Sequence, residues 1–404
     1  MSSPAPDINA IVLPLAAVQT LIWAVSYYMF PAMLPAWETE FGWSKAALSG
    51  AFTLAVVLTA LGAPVAGRLI DRDRGAQVML ASIILIGCML VFMSRVQELW
   101  QFYLAWAGIG IGMAGALYEA CFAFVTRLLG GNARQGITTI TLVAGFASSV
   151  AFPSCHALNG LIGWRNTLLV FAVVTALVIL PLIWWVSRRL NEGGLAASAA
   201  STARTGMHPR QALASPVFWL LAFSFSLIAL NHGMIVIHLL PLLMDRGLEL
   251  GLAVLVASLV GPMQVVGRLL MVAVQHRLNM TLIGVVSIMF MAAAALSLWA
   301  APVWLGLVFL FVVLQGSGYG VTSISRPVVT AEYLGMAHFG AISGFIAVIF
   351  MLMSAVSPSV AAAIWSLGGY DLVIGFAFLC CLISVTCLML AYRRALGPGG
   401  IARS

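Results

Sequence analysis

The sequence predicts an all-α membrane protein of about twelve spanning helices in two parallel six-helix halves. Three observations predict it. Hydrophobic residues make up 62% of the 404 and charged residues only 8%, whereas a soluble domain is about 45–50% apolar and about 25% charged. The mean hydropathy of +1.08 is concentrated in runs close to the roughly 20 residues that cross a bilayer. The two halves also echo one another. Pro64, Gly67 and Arg68 are matched by Pro262, Gly267 and Arg268, with the two arginines 200 positions apart. Backbone groups in lipid must be satisfied within the segment, so the spans are expected to be helices.

In chain order the first span covers 11–34, followed by a short outer segment at 36–44 and a second span at 46–70. The third covers 78–93, the fourth 99–125, the fifth 137–162 and the sixth 167–186. The stretch 188–215 then mixes arginines with Gly, Ala, Ser and Thr and reads as a flexible linker. Spans follow at 217–243, 252–274, 280–300, 303–325, 341–365 and 372–392. The expected organisation is a first bundle at 1–187, a linker at 188–215 and a second bundle at 216–404.

Sidedness follows from the basic residues. With the N-terminus inside, thirteen arginines fall on inner loops and tails, against Lys45, Arg95, Arg165 and Arg246 outside. Both termini and the linker are therefore expected in the cytoplasm. No basic n-region of a cleaved signal precedes the first span. The net charge of +7 is spread over short loops and forms no patch for nucleic acid. The six cysteines lie inside apolar runs and read as reduced packing residues, without disulfide or metal spacing. No cofactor is expected. Paired carboxylates, nucleophile–base spacings and a G-x-x-x-x-G-K-[ST] loop are absent, which argues against an enzyme and against ATP hydrolysis. A sensor or assembly protein on the same scaffold is the rival class, and it usually carries an added soluble module.

The most concentrated signal is Gly67-Arg68-Leu69-Ile70-Asp71-Arg72-Asp73-Arg74-Gly75, with five charges in seven residues. It lies between two spans and is expected in water, with Gly67 and Gly75 allowing close approach and reversal. It resembles the G-x-L-x-D-R-x-G-R loop of the major facilitator superfamily, with one residue, Asp73 or Arg74, extra and Ala76 in the last basic position. The resemblance implies that Asp71 and Arg72 couple helix ends and stabilise one state of a transport cycle.

Polar groups inside spans are costly and are functional candidates, against the alternative that they only join helices. Glu119 lies deep in the fourth span and is a candidate proton carrier. Arg268 and Gln264 are four apart in the eighth and share a face, and a guanidinium suits a carboxylate. Gln19, Trp23 and Tyr27 form one stripe of the first span, with Tyr28 alongside. Asn231, His232 and His238 form a polar group in the seventh, and Gln315 and Tyr319 a pair in the tenth. Arg326, with Glu332 six residues on, reads as a gate or structural pair.

Ser26-Tyr27-Tyr28-Met29-Phe30-Pro31, Phe41-Gly42-Trp43-Ser44 and Gly261 to Arg268 are similar to the monocarboxylate and oxalate–formate branch of that superfamily. That resemblance implies an anion-binding role for Arg268. Where monocarboxylate carriers hold a proton-coupling lysine and aspartate, this chain has Ala32 and Gln264, which leaves Glu119 as the candidate coupling group. The expectation is a monomeric secondary transporter of the bacterial inner (cytoplasmic) membrane. It would take a small organic anion, a monocarboxylate in the nearest resemblance, together with protons. The alternative is an exporter of a toxic or amphiphilic solute.

Overall fold

The computed structural model describes residues 8–192 and 206–396, which are helical apart from short turns. Residues 193–205 of the expected linker lie outside the described residues. Among those described, the one extended pairing is an isolated bridge between Gly206 and Gly335. Nine helical stretches among the described residues are long and apolar enough to cross a membrane. Three of them contain kinks: at Arg72 and Asp73, at Gly163, and at Gly368 and Gly369. The chain separates into two compact units, Met1–Thr205 with Met336–Phe345, and Gly206–Gly335 with Ile346–Ser404.

In the first unit α1, Ile8–Trp23, runs through a π-helical turn at Ala24–Tyr28 into α2, Met29–Phe41. Gly42 ends it at φ 65°, a left-handed position that glycine takes without steric cost. Ser44 then caps α3, Lys45–Leu69, its Oγ accepting from Ala47 N at 3.2 Å. The charged turn Ile70–Arg74 leads into α4, Gly75–Met93. A reciprocal cap between Glu98 and Gln101 opens α5, Leu99–Ala116. Beyond Leu117 lies α6, Tyr118–Leu129. Then come α7, Ala133–Ala144, and α8, Ala147–Val174. A second π-helical turn, Thr175–Ile179, leads into α9, Leu180–Glu192. The core here is aromatic: Trp37, Phe102 and Trp106 are fully buried, with Trp37 edge-on to Phe102 at 5.1 Å.

In the second unit α10, Pro209–Ala214, precedes α11, Pro216–Ile237, and α12, Leu239–Asp245. They are followed by α13, Leu250–Val274, α14, Met280–Trp299, α15, Leu307–Leu334, and α16, Phe339–Ala395, whose first residues, up to Phe345, belong to the first unit. Leu242, Leu243, Val256, Leu298 and Phe311 centre an aliphatic core. Large apolar side chains such as Leu61, Ile84, Leu161, Leu255 and Leu269 remain exposed. An apolar exterior over a packed interior is what a bilayer-facing bundle requires.

Small residues set one contact closely. A Cβ on Gly267 would strike the backbone of Ser317, one on Gly320 the backbone of Gln264, and one on Gly316 the Met263 side chain. Thus α13 and α15 cross nearly backbone to backbone, as glycine-lined membrane helices do.

Besides the fifth span, which is interrupted at Gly145 and Phe146 between α7 and α8, two spans depart from sequence expectation. The fourth, expected unbroken over 99–125, breaks at Leu117, which is extended at φ −82° and ψ −170°. The seventh, expected over 217–243, ends at Ile237, and His238 at φ −93° and ψ 8° separates it from α12. The Leu117 break carries no glycine or proline at the break point, so local propensity gives no signal there, whereas Pro241, three residues past His238, has no N–H for the Ile237 carbonyl and marks the second break.

Candidate functional site

Three groups of polar residues stand out, two in the first unit and one in the second. The first surrounds the break at Leu117. The end of α5 leaves carbonyls without helical partners, and in an apolar interior each needs one. Gln19 supplies it: its Nε2 donates to Ala116 O at 2.7 Å, and the residue is 0% exposed. Thr59 Oγ1 reaches Gly110 O at 2.9 Å higher up the same helix. Trp23, one turn beyond Gln19, meets Tyr27 at 5.2 Å, Tyr28 at 6.1 Å and Tyr118 at 4.9 Å between ring centroids. The π-helical turn holds Tyr27 and Tyr28, and such turns widen the helix locally and recur at functional positions. Glu119 sits in the first turn of α6, half-buried, and accepts from Ser343 Oγ at 3.4 Å. The free N–H groups of a helix start present partial positive charge to a carboxylate. Gln19, Trp23, Tyr27 and Glu119 thus gather near one helix break.

The second group is the charged turn. Asp71 accepts from Gly340 N at 3.0 Å and Ala341 N at 2.9 Å, so it caps the start of α16 from across the bundle. The approach depends on glycine, since a Cβ on Gly67 would collide with the Gly340 carbonyl. Gly75 is ordinary helix at φ −60°; a Cβ there would meet the Phe124 ring. Gly75 therefore serves packing, and the expected reversal at this glycine falls instead at Asp73, with φ 62°. Aspartate tolerates that region better than most residues. Asp73 also binds Arg127 through both carboxylate oxygens, at 2.6 and 2.5 Å. Arg72 is exposed. Arg68 lies over Phe345 at 5.9 Å.

The third group belongs to the second unit. Asn231 Nδ2 donates to Ala377 O at 2.9 Å, and Gln315 Nε2 donates to Asn231 Oδ1 at 3.1 Å. Both residues are buried, and together they tie α11, α15 and α16. One step along, His232 stacks on Tyr319, 3.4 Å between centroids and 5° from parallel. Arg268 is 7% exposed, and its Nε donates to Gly320 O at 3.1 Å. Gln264 sits one turn before it, half-buried. Arg326 lies over Phe350 at 4.4 Å, while Glu332 is exposed near the end of α15. His238, at the helix break, stands apart from Asn231 and His232 and faces Tyr370 at 6.2 Å.

Sequence reading missed Ala116, Ser343 and the Gly340–Ala341 amides as partners. They contribute backbone atoms or a lone hydroxyl, which leave no pattern in a sequence. It also missed a clamp in which Glu40 accepts from both Trp164 Nε1 and Arg165, while Arg165 Nη2 reaches Val96 O at 3.0 Å.

Apolar spans carrying buried polar groups at helix breaks describe a polytopic membrane protein, and the family it matches makes it a transporter rather than an enzyme. Residues 15–358 match the model of the Major Facilitator Superfamily, and the chain belongs to that family. Its fold is similar to the crystal structure of the human organic anion transporter MFSD10 (TETRAN). The TM-score is 0.74 at 17% identity, covering 95% of this chain and 100% of that one. It is also similar to a bacterial homologue of the iron transporter ferroportin in an outward-facing state with soaked iron. There the TM-score is 0.69 at 12% identity, covering 96% of this chain and 100% of the other. No curated protein sequence matches the chain.

Proposed function

We propose that this transporter moves a small organic anion, a monocarboxylate in the simplest case, by alternating access and with proton coupling. The observation that carries the reading is Arg268, a guanidinium buried in an otherwise apolar helix beside Gln264. A full charge at such a position is expensive and is kept where it meets a counter-charge, and the guanidinium fork matches a carboxylate. Gln264, Asn231, His232, Gln315 and Tyr319 in the second unit, and Gln19, Trp23 and Tyr27 in the first, are proposed as substrate-binding residues. Glu119 is proposed as the proton-coupling carboxyl. Gly67, Asp71, Arg72, Gly75 and Arg326 are proposed to act in the conformational switch.

In this reading each of the three kinked stretches crosses twice, giving twelve spans. Residues 1–187 and 216–404 form the two halves, and 188–215 the cytoplasmic linker. The protein is a monomer in the bacterial inner (cytoplasmic) membrane, with both termini inside.

The aromatic cluster of Trp23, Tyr27, Tyr28 and Tyr118 favours a second reading, export of an amphiphilic solute. Ligand-induced thermal stabilisation separates the two, because a ligand that binds the folded state raises its apparent stability. Hydrogen bonds to a charged group contribute about 1.5–3 kcal/mol, roughly ten- to 150-fold in affinity. A small carboxylate should therefore stabilise the wild type and lose at least tenfold in affinity with Arg268→Ala. Stabilisation by amphiphilic cations alone, equal in both proteins, would overturn the anion reading and favour the exporter.

A further inference from the structure

Two polar atoms at the Leu117 break have no hydrogen-bond partner among the described residues: Gln19 Oε1 and Trp23 Nε1. Both are buried, one an acceptor and the other a donor. They stand four apart on α1 and its junction with the π-helical turn, so they share one face. The rest of Gln19 is already committed, since its Nε2 holds the last carbonyl of α5. That bond fixes the amide and leaves the carbonyl oxygen directed elsewhere. Trp37 and Trp106 also lack partners for their indole nitrogens, but both are sealed in the aromatic core at 0% exposure. Trp23 differs, being half-exposed like Tyr27, Tyr28 and Tyr118 around it. An unpaired donor and an unpaired acceptor beneath a half-exposed aromatic surface are costly in an apolar setting unless something completes them.

We propose that Gln19 Oε1 and Trp23 Nε1 form a hydroxyl-recognising subsite, so that the cargo is a hydroxylated compound. A hydroxyl donates its proton to Gln19 Oε1 and accepts from Trp23 Nε1, satisfying both atoms at once. The faces of Trp23, Tyr27 and Tyr118 cover the carbon skeleton next to it. This deepens the transport reading and rests on it. Combined with the anion reading, it makes the cargo class a hydroxy acid. A site built to bond a hydroxyl discriminates against the analogue lacking it, because its own groups are then left unpaired.

The test is thermal-shift titration of the purified full-length protein with two matched pairs, lactate against propionate and lactamide against propionamide. Wild type, Trp23→Phe, Gln19→Met and Arg268→Ala are compared, each first shown to melt cooperatively without ligand. Trp23→Phe removes only the indole donor and keeps an aromatic ring, so it stays informative even if Gln19→Met unfolds through loss of the Ala116 contact. The expected result is that the hydroxylated member of at least one pair binds about tenfold tighter in wild type, and that the preference falls to within about threefold in Trp23→Phe. No hydroxyl preference in either pair, whether through equal binding or no binding, overturns the subsite. A preference that Trp23→Phe leaves intact overturns it as well. The anion reading fails separately, if amides bind as well as carboxylates and Arg268→Ala changes neither.

Discussion

Replacing Asp71 with alanine should loosen one defined piece of backbone. Its carboxylate accepts from Gly340 N and Ala341 N at 3.0 and 2.9 Å and so caps the start of α16. Losing a helix cap costs about 0.5–2 kcal/mol, and a charged acceptor bonds about twice as strongly as a neutral one. Removal of both bonds should therefore cost about 1–3 kcal/mol, roughly a five- to 150-fold shift in a local opening equilibrium. Amide hydrogen exchange reads that equilibrium directly. In Asp71→Ala the peptide spanning residues 339–345 should exchange faster by that factor. Asp71→Asn, which keeps one acceptor oxygen, should fall between it and wild type. Arg72→Ala should leave the peptide unchanged, since Arg72 is exposed. Unaltered exchange over 339–345 in Asp71→Ala would refute the capping argument, and with it the switch role proposed for the turn.

Other consequences follow from the same geometry. Gly267→Ala places a methyl against the Ser317 backbone, so overpacking should cost about 1–3 kcal/mol and lower the melting temperature; an unchanged melt would mean that α13 and α15 separate freely. Asn231→Ala breaks the bonds to Ala377 O and Gln315 and should destabilise by about 0.6–2 kcal/mol, the range for interhelical hydrogen bonds in membranes, read as a lower denaturation midpoint. Arg165→Ala removes one of the two partners of Glu40 and the contact to Val96 O, but the pair is partly exposed, so a loss below about 1 kcal/mol is expected.

What the sequence made legible were features with a period or a charge. Apolar run length marked the helices. The dense charges of 68–74 marked a turn, although the residue that reverses it, Asp73, is one that tolerates positive φ less readily than the flanking glycines. Arg268 and Gln264 were found because a charge and an amide one turn apart stand out in apolar helix. The break at Leu117 was not legible. It contains no helix breaker and is held from outside, by a glutamine 97 residues away binding Ala116 O. The docking of Gly340 and Ala341 on Asp71 was hidden for a similar reason, since backbone amides look the same in every sequence. The Glu40 clamp joins residues 125 positions apart, and long-range pairs of ordinary surface residues carry no local pattern.

Whether Arg268 holds a carboxylate cargo during transport is decided by counterflow in proteoliposomes. Vesicles with purified protein are loaded with unlabelled small carboxylates, and uptake of labelled lactate is followed for wild type, Arg268→Ala and Arg268→Lys. Wild type should show rapid counterflow, and Arg268→Ala none above empty vesicles. Arg268→Lys should be weak, because an ammonium lacks the planar fork. Counterflow by Arg268→Ala at the wild-type rate would contradict that role and leave Arg268 as a strut between α13 and the Gly320 carbonyl.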